Sequence, residues 1–185
     1  MPVVFGTMAS TVEDVVAVFE RYGDRVRGTY RAQYRFDQNT SDPYAAPRLQ
    51  RPDSLEGNPP NAIFPWEQVF LAAAACAGSD YPMLAAHYGI PLDSVDFVVE
   101  GVFDPRGEFD GLAGFAAPKD ARHCYRSLHF RVTMVSPASR EALETIHERA
   151  LSYNMVLGAL RGIPQTNELL TLPSPVRADA MAGGV

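Results

Sequence analysis

Cysteine is scarce in this chain, with only Cys76 and Cys124 among 185 residues. That excludes the disulfide framework of a small secreted domain, and the two cysteines are read as free thiols of a reducing compartment. Positive charge is also short: 16 Lys and Arg stand against 22 Asp and Glu, for a net charge of −6 and a pI near 5.2. This balance argues against nucleic acid or an anionic membrane as partner, because either favours a basic face. Small neutral or apolar ligands fit it better. Residues 1–9 lack the basic region and apolar stretch of a secretory signal, and no apolar run reads as long enough to span a bilayer, so the expected location is cytoplasmic. His87, His123, His129 and His147 lack the i, i+3 or i+4 pairing of a helical metal site, and no phosphate-binding glycine loop, serine elbow or kinase signature is present. No metal and no cofactor is predicted.

What is there is ordinary globular composition, 46% hydrophobic and 21% charged, enough for one domain with a real core. Ser10-Thr-Val-Glu13 reads as a capping box before the apolar positions Val15, Val16, Val18 and Phe19, predicting a short amphipathic helix that ends near Gly23. Val26 to Phe36 alternates in the manner of a strand. Residues 37–62 hold five prolines and many polar residues, so they form a long loop with room for short strand pieces, suited to walling a pocket. Val95 to Phe103 and Ser127 to Val135 are predicted to be neighbouring strands. A helix starts at Ser136 or Ser139, breaks near Tyr153 and continues from Val156 to Leu160. The domain is drawn over residues 1–170, and 171–185 is expected to be a mobile tail, rich in Pro, Ala and Gly.

The segment from Phe64 to Gly78 carries most of the chemical information. Pro65 suits a first helical turn and Glu67 adds favourable charge there. Four alanines then lead to Cys76, so another helix can approach closely. The helix is predicted from about Pro65 to His87, bent or interrupted by Gly78 and Pro82.

Pro-x-Glu, the alanine-rich run to Cys76, Gly89-Ile90-Pro91-Leu92, Asp104-Pro-Arg-Gly107 and Gly162-Ile163-Pro164 follow one another in an order that resembles the OsmC/Ohr family across roughly residues 63–170. The resemblance implies an α+β fold with two central helices packed against antiparallel sheets and two chains intertwined as a homodimer. The peroxidase branches of that family reduce organic hydroperoxides with two cysteines, an Arg and a Glu. Cys76 matches the reactive cysteine, but Asn154 stands where the second is expected. The supporting Glu of those branches falls on Trp66, while Glu67 matches the looser Pro-x-Glu pattern. Nine residues separate Glu67 from Cys76, about 900° of helix, so the two face opposite sides.

A thiol reacts as thiolate, and burial among alanines keeps it protonated unless a cation or hydrogen-bond donor stands beside it. The resemblance implies an N-terminal arginine, from Arg25, Arg27, Arg31 or Arg35, with Arg27 chosen. Cys76 has a second reading, as a small core residue. Asn154 either bonds into the site or caps the break between two helical segments, the latter preferred. Trp66 and Tyr81 are candidate walls of an apolar cavity, or plain core. Cys124 could act as a substitute resolving thiol only with its Cα ~4.4–6.8 Å from that of Cys76. Asp80 shows no acid-base partner. Two functions follow: a single-cysteine thiol enzyme that reduces organic hydroperoxides with a small thiol or protein reductant, or a protein that binds an apolar small molecule at the dimer-interface cavity without peroxide chemistry.

Overall fold

The computed structural model describes residues 11–40, 42–43, 45–50, 65–121 and 125–175, without the side chains of Pro65 and Trp66. In chain order the elements are α1 (Val12–Tyr22), β1 (Gly28–Asp37), β2 (Arg48–Gln50), α2 (Pro65–Tyr88), β3 (Ser94–Phe103), β4 (Ser127–Val135), α3 (Arg140–Tyr153), α4 (Met155–Ala159) and β5 (Gln165–Leu172). The strands form one sheet in the order β2-β1-β3-β4-β5. The α+β class is as expected, but the strands make a single five-stranded sheet in which β5 runs parallel to β4 and every other pair is antiparallel.

Alternation decides which way the sheet faces. Tyr30, Ala32, Tyr34 and Phe36 of β1, Val95, Phe97 and Val99 of β3, and Leu128, Phe130, Val132 and Met134 of β4 all point to one buried side. Helix α2 lies on that side and buries Phe70, Ala73, Ala74, Ala77, Tyr81 and Ala85. A buried side chain as large as Phe70 contributes about 1.5–3 kcal/mol. Two glycines let the helix approach so closely. A Cβ on Gly101 would stand 2.5 Å from Phe70 Cζ, and one on Gly78 would stand 2.2 Å from Tyr34 Cδ1. Gly78 is therefore a packing residue and not a break. Helix α2 runs unbroken to Tyr88 with Pro82 inside it, so of the expected bend or interruption the interruption does not occur.

Several other boundaries moved. The capping box of α1 pairs Thr11 with Asp14, one residue later than expected, with each side chain accepting from the other's backbone N–H at 3.2 Å. Val26 belongs to a 3-10 turn ahead of β1. Ser139 caps α3. Strand β5 had no counterpart in the predicted elements, and it carries order to Leu172, past the start expected for the tail. Its outer edge leaves most residues exposed, and so it lacks the clean alternation that marks β1, β3 and β4.

By length and composition the helix segment Glu67–Tyr88 is apolar enough to cross a membrane, contrary to the expectation that no such run exists. The buried part of that segment packs on β1 and β3.

A second cluster closes the other end of β1. Asp104 is fully buried and caps a 3-10 turn, Pro105–Phe109, by accepting from the Arg106 N–H at 3.2 Å. The Arg106 guanidinium returns two bonds to the same carboxylate, at 2.9 and 2.8 Å, and Arg27 Nε adds a third at 3.1 Å. Burial pushes the Asp104 carboxyl up, but the hydrogen bonds and charges of Arg106 and Arg27 prevail and hold it below the ordinary range.

Candidate active site

Cys76 lies halfway along α2 on its half-exposed side, four residues before Asp80, so both side chains emerge on one face. Opposite them the chain breaks between α3 and α4 at Asn154, which is extended at φ −66°, ψ 129° and only 4% exposed. The break presents the Asn154 amide to α2. Its Oδ1 accepts from the Leu157 N–H at 2.9 Å, capping α4, while Nδ2 donates to Cys76 Sγ at 3.2 Å and to Asp80 Oδ2 at 2.8 Å. An amide has two N–H hydrogens, one for each of those acceptors, and the capped oxygen fixes which way round it sits. Both readings of Asn154 therefore hold at once: it caps the helix and it bonds into the site.

The sulfur therefore has a hydrogen-bond donor aimed at it, and the same nitrogen serves the Asp80 carboxylate. Asp80 was the residue that sequence reasoning passed over. The signal available for it was the Cys-x-x-x-Asp spacing on a predicted helix, which places a carboxylate beside the thiol without saying what joins them.

The other expected members of the site are placed elsewhere. Arg27 does not support Cys76: it bonds Asp104 at 3.1 Å and Asp120 at 3.0 Å before the start of β1. Six residues, roughly 20 Å of strand, separate Gly28 from Tyr34, the ring on which Gly78 packs. No arginine, lysine or histidine among the described residues has a recorded bond to Cys76. Glu67 is fully buried in the first turn of α2, on the face of Phe70 and Ala74, and so points away from the Cys76 side as the half-turn offset requires. Tyr81 is sealed in the core instead of lining a cavity, because its position on α2 faces Phe97 of the sheet. Trp66 opens α2, but its side chain lies outside the described residues, as does Cys124.

Tyr81 belongs to a buried polar chain. Its hydroxyl meets His147 Nδ1 at 2.9 Å, and His147 Nε2 meets Asn167 Oδ1 at 3.0 Å. Because Asn167 offers an acceptor, Nε2 carries the hydrogen and Nδ1 accepts from the phenol. Burial pushes the His147 imidazole down toward its neutral form and pushes the Tyr81 phenol up, with the charge of Asp80 adding to the latter. The chain ties α2, α3 and β5 together beneath the site.

Large apolar side chains are exposed on the elements that carry Cys76 and Asn154. Met83 is 60% exposed on α2, and Tyr153 and Met155, which flank Asn154, are 70% and 82% exposed. Among the described residues no group of three or more metal-ligating side chains occurs.

A family model described as OsmC-like protein matches residues 58–168. Among solved structures, an OsmC-like hydroperoxide resistance protein from Jannaschia sp. CCS1 is similar at 12% identity, TM-score 0.50, over 74% of this chain and 87% of that one. An OsmC-like protein from Mycoplasma pneumoniae is similar at 14% identity, TM-score 0.48, over 62% of this chain and 74% of that one. At 12% identity the likeness to the Jannaschia protein is one of fold alone. No curated protein matches the chain.

Proposed function

The chain belongs to the OsmC-like protein family, and from that premise we propose that it reduces organic hydroperoxides through Cys76, with an external thiol as reductant. The observation that carries the reading is the Asn154 N–H donated to the sulfur of part-buried Cys76 at 3.2 Å, a donor of the kind a reactive thiol needs beside it. The exposed apolar side chains of Met83 on α2 and of Tyr153 and Met155 on either side of Asn154 favour an organic peroxide over hydrogen peroxide.

In the first step the Cys76 thiolate attacks one peroxide oxygen and the O–O bond breaks. Sulfur is oxidised to sulfenic acid, and the other oxygen leaves as an alcohol after taking a proton. A small thiol or protein thiol then displaces water from the sulfenic acid to give a mixed disulfide. A second thiol restores Cys76 and departs as the oxidised reductant. With Asn154 in place of a resolving cysteine, each turnover depends on thiols that enter from outside. Oxidation of the Cys124→Ser protein by cumene hydroperoxide, followed by stopped flow and mass spectrometry, is expected to put one oxygen on Cys76 faster than hydrogen peroxide does, and Cys76→Ser is expected to abolish it. A Cys76 that reacts no faster than a free small thiol would overturn the reading.

A second reading, binding of an apolar small molecule without peroxide chemistry, is favoured by the engagement of Arg27 at Asp104 and Asp120, away from the thiol. Ligand carried through purification in mass-spectrometric amounts, together with an inert Cys76, would select it.

We also infer that a second copy of the chain covers the Cys76 side of α2. Ala72, Cys76, Ser79, Met83 and Ala86 form one stripe of small or flexible residues at helical spacing, with Ala72, Met83 and Ala86 exposed. Light scattering at micromolar concentration is expected to give a dimer mass, and Ala72→Arg a monomer. A wild-type monomer under the same conditions would count against the homodimer.

A further inference from the structure

We propose that Asp80 is a positioning residue that holds Cys76 in reserve: it locks the Asn154 amide onto the sulfur while its own negative charge opposes a second one beside it. The inference rests on the reading of Cys76 as a reactive thiol. Asn154 makes three bonds to three separate positions, at 2.9 Å to the Leu157 N–H, 2.8 Å to Asp80 and 3.2 Å to Cys76. Turning the amide over would set its oxygen against the Asp80 carboxylate and its hydrogens against the Leu157 N–H, so a single orientation survives. Without Asp80 the second N–H hydrogen loses its acceptor and the amide its third restraint.

The same carboxylate is an anion near a sulfur that must become one. Both atoms bond a single nitrogen, so they lie no more than about 6 Å apart. Among the described residues the cations of the neighbouring elements are engaged elsewhere, Arg161 beyond α4 on the Ser152 carbonyl at 2.8 Å. Arg31 and Arg35 of β1 pair with Glu100 and Asp37, His147 and Arg149 of α3 are taken by Tyr81 and by the Tyr153 ring, and Glu148 is exposed. Arg140 of α3 pairs with Glu144, and α4 has no charged residue. Arg48 of β2 and Asp96 of β3, the latter bonded to Gln33, alternate onto the sheet face away from α2, while Glu67 of α2 itself sits on the helix face opposite Cys76.

Asp80→Asn separates the two effects, since its side-chain oxygen still accepts from Asn154 but the charge is gone. In the Cys124→Ser background, alkylation by neutral iodoacetamide is expected to speed up about tenfold at pH 7 relative to the protein with Asp80 present. Asp80→Ala is expected to gain less than Asp80→Asn, because it frees the amide as well. Thermal melts confirm that each variant is folded. A folded Asp80→Asn protein with an unchanged or slower alkylation profile would overturn the charge effect, and equal profiles for the two variants would overturn the clamp. The readout is alkylation, so the proposal fails or stands independently of peroxide reduction.

Discussion

Asp104→Ala is expected to lower stability by about 3 kcal/mol, from a usual range of about 3–5 kcal/mol when one partner of a buried ion pair is removed. The loss is large because Arg106, itself 4% exposed, gives up two guanidinium bonds and its cap at once. It falls at the lower end because two acids remain: Asp24 still accepts from Arg106 at 2.8 Å and Asp120 from Arg27 at 3.0 Å. The pH dependence has a definite sign. The folded carboxyl is held below its ordinary value, so its contribution is complete above the unfolded carboxylate range, near pH 4, and is lost as pH falls through the depressed folded value. Urea unfolding at pH 7 and pH 3 therefore should show a wide gap between wild type and variant at pH 7 and a narrower one at pH 3. A difference below 1 kcal/mol at pH 7 would mean that the cluster stabilises the fold no more than an exposed pair does.

Asn154→Cys is expected to change the course of Cys76 oxidation outright. The Asn154 nitrogen lies 3.2 Å from Cys76 Sγ, and a cysteine sulfur is set back from it by no more than about one C–N bond, ~1.33 Å. A side-chain rotation can then close the ~2.05 Å S–S bond. After one equivalent of peroxide the variant is expected to lose two hydrogens in mass, where the wild type gains one oxygen. Removal of the sulfenic acid should become independent of external thiol and at least about tenfold faster, because the attacking sulfur is held in place. The substitution costs about 1 kcal/mol through the lost cap at Leu157. Persistence of a sulfenic acid beside a reduced introduced thiol would show that the two positions do not meet in solution.

How legible each part was depended on how local its cause was. Strands β1, β3 and β4 announce themselves because one face of each is buried, so apolar and polar residues alternate. Helix α2 does so because Pro65 and Glu67 suit a first turn and the alanine run after them favours helix. Strand β5 does not, since it is an edge strand reached only after the α3 and α4 crossover, and pairing with β4 rather than its own pattern makes it a strand. Gly78 reads as a helix breaker in sequence and becomes a contact surface only because Tyr34 of another element lies against it.

The sequence by itself determined the helix that carries Cys76 and the half-turn separation of Glu67 from the thiol, since each follows from spacing or helical period, while the fold class and the missing second cysteine were legible through the resemblance of its ordered motifs to a family. Only the tertiary structure decided what touches the sulfur. Asn154 lies 78 residues from Cys76, and Arg27 lies 77 from Asp104. Which distant polar groups meet is settled by how the helices and the sheet pack, because buried donors and acceptors must find partners and packing determines which are within reach.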